Sequence, residues 1–81
     1  MPLSEKDQHR LRAIGNRLKM LRESIELDGK RPSQEAFANA IGMETKQYWR
    51  LETGSEFKMS TLFRVLEFQK MTLSEFFKDL K

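Results

Sequence analysis

Gly42 stands between two short segments whose apolar residues recur at the spacing of a helix, and this arrangement constrains the fold more than any other feature. Residues 34–41 place their apolar side chains on one face, and in residues 45–53 Tyr48 and Leu51 can both face inward. Because glycine accepts the positive φ that ends a helix abruptly, Gly42 predicts a stop. The sequence therefore predicts two short helices joined by a tight turn, as in a helix-turn-helix.

A longer helix is predicted before this pair. Its apolar residues recur at alternating spacings of three and four, which places them on one stripe; they are Leu11, Ile14, Leu18, Leu21 and Ile25. Ser4 is the expected N-cap, and Gly29 is the expected stop after Asp28. Pro32 then favours a loop, and Ser33 is the next natural N-cap.

Two further helices are predicted after the pair. Apolar spacing indicates a fourth helix at about residues 60–69. Thr72 and Glu75 form a capping box that opens a fifth helix, which is expected to carry Leu80. No alternating apolar pattern typical of strands is present. The prediction is therefore a single all-α domain of five helices over residues 1–81.

The residue content excludes several kinds of site. The chain has no cysteine and a single histidine, His9, so we expect no disulfide, thiolate chemistry or multi-histidine metal site. No Ser/His/Asp, phosphate-loop or paired-carboxylate arrangement appears, and we expect neither catalysis nor a cofactor. Glu5 and Asp7 precede every apolar stretch, which is unlike a signal peptide. No apolar run approaches the ~20 residues that span a bilayer. We therefore expect a cytoplasmic protein with no membrane partner.

Positive charge is concentrated near the start of the chain. The net charge of +3 is a weak pointer to polyanions. Between residues 10 and 22 there is no acidic residue, whereas five basic ones occur: Arg10, Arg12, Arg17, Lys19 and Arg22. At most one or two of these, above all among Arg10, Arg17 and Lys19, are expected to contact phosphate groups of a polyanion, although an exposed charge run more often only keeps a protein soluble.

The segment from Ser33 to Gly54 resembles the helix-turn-helix of the phage repressor and Cro (XRE) family. In that family a Ser/Thr-Gln-x-x-Leu-Ala segment leads through a Gly turn to an Ile-x-x-Ile/Leu-Glu-x-Gly ending. The matching residues here are Gln34, Ala38, Gly42, Leu51, Glu52 and Gly54. With similar motifs before and after, the resemblance covers about residues 14–77. It implies a five-helix, repressor-like domain that binds double-stranded DNA and regulates transcription.

The second short helix is the expected recognition helix. Because Tyr48 and Leu51 face the core, its other side should lie in the major groove; the expected base-contacting residues are Thr45, Lys46, Trp49 and Arg50. Arg50 can bridge O6 and N7 of a guanine, and Lys46 can reach a guanine or a phosphate. The methyl group of Thr45 can touch a thymine methyl.

Other contacts are expected to fix the protein on the DNA backbone. The residues assigned to this role are Gln34, Arg17, Lys19 and Thr53. Gln34 resembles the family glutamine that contacts a phosphate, and its alternative is a simple capping role. Trp49 is expected to cover a thymine, the sugar backbone or another subunit, or else to pack within its own chain.

A structural role is expected for Arg22 and Glu52. The resemblance implies that they form a largely buried ion pair, which joins the first helix to the end of the recognition helix. We assign this pair to stability and not to recognition.

Phenylalanine is concentrated at the other end of the chain. Five of the six lie in the last 25 residues: Phe57, Phe63, Phe68, Phe76 and Phe77. A small domain cannot easily bury all of them, so the fourth and fifth helices, at 59–80, are expected to form a homodimer through an apolar patch. A dimer would set two recognition helices about 34 Å apart. The alternative is an antitoxin whose C-terminal helices cover a toxin.

Three departures from the family pattern stand out. Between Arg22 and Gln34 the chain is about five residues longer, which requires an extended first helix or a larger loop. Glu44 stands where a serine or threonine normally caps the recognition helix, and it is a poorer cap. Gln69 and Lys70 replace the usual apolar residue and glycine after the fourth helix.

Overall fold

Five α-helices make up the computed structural model, which describes residues 3–78 and 80. Their bounds are α1 Glu5–Glu23, α2 Gln34–Ile41, α3 Thr45–Glu52, α4 Met59–Gln69 and α5 Leu73–Lys78. No strand is present within the described residues, so the all-α prediction is confirmed. None of the helices in this part of the chain combines the length and the apolar content needed to cross a membrane.

The connection between α1 and α2 differs from the prediction. α1 ends at Glu23, and the next residue, Ser24, caps it by donating its hydroxyl to the carbonyl of Leu21 at 2.7 Å. Leu27 and Lys30 then exchange backbone hydrogen bonds of 2.8 and 3.1 Å across a tight turn. Asp28 and Gly29 occupy that turn with φ of 53° and 77°. The expected helix stop at Gly29 is therefore wrong, because its positive φ serves this separate turn.

Gly42 ends α2 as predicted. It has φ 83° and ψ 36°, the left-handed conformation that glycine adopts without steric cost. The Met43 amide donates to the Ala38 carbonyl at 2.9 Å, which closes the turn in the manner of a Schellman motif. At the other end of α2, Ser33 accepts from the Ala36 amide at 3.1 Å. Both ends of this short helix are thus capped by local residues.

The core is formed by all five helices. Its buried apolar residues are Leu18, Phe37, Ala38, Met43, Tyr48, Leu51, Leu62, Val65, Leu66 and Phe76. The Phe37 ring lies 5.1 Å from that of Tyr48 and 5.4 Å from that of Phe68, measured between centroids. Ala38 is fully buried, as expected for a residue where α2 and α3 pack closely.

α1 and α3 are in close backbone contact at Gly15. A Cβ on this residue would collide with the backbone carbonyl of Glu52, and it would lie only 2.8 Å from the carbonyl oxygen of Leu51. Gly15 is accordingly buried in the middle of α1. The absence of a side chain here lets the end of α3 lie directly on the α1 backbone.

The predicted capping box of the fifth helix is present. The Thr72 amide donates to the Glu75 carboxylate at 3.0 Å, and the Glu75 amide donates to the Thr72 hydroxyl at 3.1 Å. α5 ends at Lys78, so Leu80 lies beyond the helix that was expected to carry it. Leu80 nevertheless packs against the core as a partly buried residue.

Lys70 ends α4 in the left-handed conformation, with φ 56° and ψ 44°. An L side chain there costs on the order of 1 kcal/mol relative to glycine. We therefore expect Lys70→Gly to raise the free energy of unfolding by about 1 kcal/mol in urea denaturation. Lys19→Gly, on the exposed side of α1, is the matched control and is expected to lower it by about 1 kcal/mol. A destabilised Lys70→Gly variant would contradict the assigned strain.

Candidate nucleic-acid interface

α3 has one face in the core and one in solvent. Tyr48 and Leu51 are fully buried, whereas Trp49 is 48% exposed. Lys46 and Arg50 are exposed and Thr45 is half-buried. The structure thus brings the four predicted base-contacting residues together along the outer side of α3.

The two ends of α3 differ in their capping, because only the C-terminal end has a side-chain hydrogen bond. Glu44 takes the N-cap position but its side chain makes no capping hydrogen bond, in agreement with its expected weakness as a cap. At the other end Thr53 is exposed, and its hydroxyl donates to the Arg50 carbonyl at 3.2 Å. The N-terminal amides of α3 are therefore left without a side-chain acceptor from the N-cap residue.

Gln47 is a residue of this face that the sequence analysis missed. It is exposed, and its amide nitrogen donates to the Thr61 hydroxyl on α4 at 3.4 Å. With Arg50, it borders an open hollow that Glu56, Phe57 and Lys58 complete. Its position three residues before Arg50 could have indicated this placement, since such residues share a helix face.

Arg22 and Glu52 form the ion pair that the resemblance implies. The Arg22 guanidinium donates to the two carboxylate oxygens at 2.7 and 3.1 Å, and the side chains are only 11% and 3% exposed. Arg22 also donates to the carbonyl of Pro32 at 2.9 Å, and Gln34 donates to Glu52 at 2.9 Å. This cluster ties the end of α1, the loop before α2, the start of α2 and the end of α3 to one carboxylate.

Protonation in this cluster is set by burial and by hydrogen bonding. Burial alone would raise the pKa of Glu52, but the hydrogen bonds from Arg22 and Gln34 lower it, and the lowering prevails. Burial is also the main cause that raises the pKa of Tyr48, and the neighbouring Glu52 carboxylate raises it further. The cluster therefore holds a charged carboxylate beside a neutral phenol.

The residues expected to contact the DNA backbone lie in different surroundings, and Gln34 and Arg17 make hydrogen bonds within the protein. One N–H of the Gln34 amide is used by Glu52, so a phosphate contact would use the other one. Arg17 lies against α5, where its Nε donates to the Phe76 carbonyl at 3.3 Å and its guanidinium carbon is 5.8 Å from the Phe76 ring centroid. Arg17 thus takes part in joining α1 to α5, which was not foreseen. Lys19 is exposed on α1, and its phosphate contact stays a prediction.

A separate apolar face lies on the two C-terminal helices. Phe63 of α4 is 43% exposed, and Leu73 and Phe77 of α5 are each 39% exposed. Phe63 and Leu73 border one shallow hollow, so the exposed residues of the two helices are neighbours. We call Phe63, Leu73 and Phe77 the α4–α5 face. By contrast, Phe76 is fully buried, and Phe57 and Phe68 pack against the core.

The described residues include no cluster of three or more histidine, aspartate or glutamate side chains that could hold a metal ion. Comparison with protein-family models, curated proteins and solved structures found no match to this chain. The resemblance of residues 33–54 to the phage repressor and Cro family therefore stays a prediction from sequence motifs. The structure itself supplies the exposed polar side of α3 and the closed turn before it.

Proposed function

We propose that this protein is a sequence-specific, non-enzymatic regulator of transcription that inserts α3 into the major groove of double-stranded DNA. The observation that carries the proposal is the two-sided character of α3 behind the turn at Gly42. Tyr48 and Leu51 fix its inner side in the core, while Lys46 and Arg50 stand in solvent on the outer side. An α-helix of this kind fits the width of the major groove. The proposal includes the cytoplasmic location expected from the sequence.

The outer side of α3 offers distinct groups to the bases. Lys46 and Arg50 are one helical turn apart, so they can address neighbouring base pairs. Arg50 supplies two donors in the geometry of guanine O6 and N7, and the methyl of Thr45 suits a thymine methyl. The half-exposed indole of Trp49 can cover a thymine or a sugar. Thr53, Lys19, Arg17 and the second N–H of Gln34 are assigned to contacts with the DNA backbone.

An Arg50→Ala variant tests the assignment of base reading. Sequences bound by the unmodified protein are first selected from random duplex DNA, and the selection is repeated with the variant. We expect one position of the selected site to relax, with a loss of about 1–3 kcal/mol at that base pair. Arg10→Ala removes an equally positive charge from the exposed first turns of α1 and is expected to leave the selected site unchanged.

Two outcomes would contradict these assignments. A uniform loss of affinity for all sequences in Arg50→Ala would make this residue a phosphate contact. If the unmodified protein enriches no sequence and binds duplex DNA no better than an unrelated protein of the same charge, the proposed function itself fails.

We further propose that two copies associate through the α4–α5 face. Large apolar side chains with about two-fifths of their surface in solvent are concentrated there, and such patches commonly mark protein contacts. For both copies to bind successive major grooves on one side of the duplex, their two α3 helices would have to lie about 34 Å apart. The preferred DNA site would then be a palindrome.

Charge placed on the α4–α5 face is expected to separate the two copies. Phe77→Glu and, independently, Phe63→Glu should shift the protein from dimer to monomer in sedimentation at micromolar concentration, because a buried unpaired carboxylate is costly. Met20→Glu is the matched control, since Met20 is 65% exposed on α1, and it should remain dimeric. A monomeric unmodified protein would refute the homodimer and favour the alternative in which this face covers a different protein, as in an antitoxin.

A further inference from the structure

A side chain of α4 holds the turn between α2 and α3. The Nη2 of Arg64 donates to the backbone carbonyl of Gly42 at 2.7 Å. We propose that Arg64 is a positioning residue, which fixes this turn and so sets the angle at which α3 presents its outer side. Its consequence for DNA binding rests on the proposed function, whereas its hold on the turn can be tested alone.

The Gly42 carbonyl is a group that the helix itself leaves without a partner. The last carbonyls of a helix accept no hydrogen bond from an amide of the same helix. Those of Ala38 and Asn39 accept from the amides of Met43 and Gly42 as the turn closes. The Gly42 carbonyl lies beyond this closure and accepts from Arg64 instead. A hydrogen bond from a guanidinium is shorter and stronger than one between neutral groups.

Arg64 is well anchored for this role. The residues before and after it along α4 include Leu62 and Val65, which are 0% and 1% exposed, so its backbone is fixed to the core. Within the described part of the chain, no carboxylate lies at ion-pair distance from its guanidinium. The hydrogen bond to the Gly42 carbonyl is thus the interaction assigned to the Arg64 side chain.

A second contact joins the same side of α4 to α3. Thr61, three residues before Arg64 and therefore on the same helix face, accepts from Gln47 of α3 at 3.4 Å. α4 consequently contacts both the turn and the following helix. Because Glu44 provides no side-chain cap, the turn itself has to define where α3 begins.

The test compares Arg64→Met with Arg64→Lys, which keeps a charged donor. Backbone NMR signals and amide exchange of residues 42–45 report on the turn, and DNA affinity is measured at several salt concentrations. In Arg64→Met we expect altered signals and faster exchange in residues 42–45. We also expect about tenfold weaker affinity, or about 1.4 kcal/mol, with an unchanged salt slope. Arg64→Lys should stay closer to the unmodified protein in both measurements.

Two results would overturn the inference. Signals of residues 42–45 that are unchanged in Arg64→Met would show that the turn does not need Arg64. A salt slope reduced by about one unit would instead make Arg64 a phosphate contact, since each phosphate-bound cation contributes about that much. If the unmodified protein binds no DNA, the proposed function fails, and the NMR comparison decides the role of Arg64 by itself.

Discussion

An Arg22→Met variant is expected to lose about 3–5 kcal/mol of stability, because it leaves the Glu52 carboxylate buried without its cation. The Glu52 side chain is only 3% exposed, so water cannot replace the missing partner. A domain of this size has on the order of 5 kcal/mol in total, so the variant should keep only about 0–2 kcal/mol and be up to about half unfolded at room temperature. Urea denaturation followed by circular dichroism measures the loss.

A double variant separates loss of the pair from loss of packing. Adding Glu52→Leu to Arg22→Met removes the stranded charge, so part of the lost stability should return. A single variant with an unchanged melting temperature would show that the pair does not stabilise the fold. If the double variant were less stable than the single one, the cost would come from packing instead of from an unpaired charge.

The stability of the unmodified protein and that of Arg22→Met should respond to pH in opposite directions. In the unmodified protein the pKa of Glu52 is lowered from its usual 4.5, so the pair stabilises the fold above that pH. This stability is lost as the pH falls through the lowered value. In Arg22→Met the lowering of the Glu52 pKa by Arg22 is lost while burial, the largest cause, still raises it, so we expect acidification to restore stability by neutralising the carboxylate. The free energy of unfolding is measured against pH for both proteins, and one curve is subtracted from the other. The subtraction removes the contribution of the carboxylates that the two proteins share.

Gly15→Ala is expected to destabilise the fold by about 2–3 kcal/mol, although alanine is the better helix former by about 1 kcal/mol. The added methyl would collide with the Glu52 carbonyl, and backbone atoms cannot move aside as a flexible side chain can. α1 would have to shift away from α3, which opens the core at Leu18 and Leu51. Thermal unfolding followed by circular dichroism measures the change in stability.

Asn16→Ala provides the control for this effect. Asn16 is the next residue of α1 and is exposed, so alanine there should be neutral or slightly stabilising. Both variants gain helix propensity, and only Gly15→Ala meets the α3 backbone. An equal or higher melting temperature for Gly15→Ala would refute the close approach.

The elements of this fold could be predicted because their signals are local. Helical spacing located α1 to α4, the capping box of Thr72 and Glu75 located α5, and Ser33 and Gly42 marked the ends of α2 where the structure has them. The outer side of α3 followed from the two residues, Tyr48 and Leu51, that had to face inward. Each of these conclusions depends on residues within one or two helical turns.

What the sequence could not provide is which helices meet and where. The basic residues of α1 look alike in sequence, yet Arg17 lies against α5 because packing brings the Phe76 carbonyl to it. Gly29 carries the usual sign of a helix stop, but Leu27 and Lys30 pair around it instead. The contact of Arg64 with Gly42 joins residues 22 positions apart, and no local pattern indicates it.

The division of α3 into a fixed and a free side has a consequence for how such a protein can diversify. Tyr48 and Leu51 carry the packing of this helix, whereas Lys46 and Arg50 contribute nothing to the core. Substitutions of the second pair should therefore change stability by no more than about 0.5 kcal/mol, so the chemistry of this surface can vary while the scaffold stays the same.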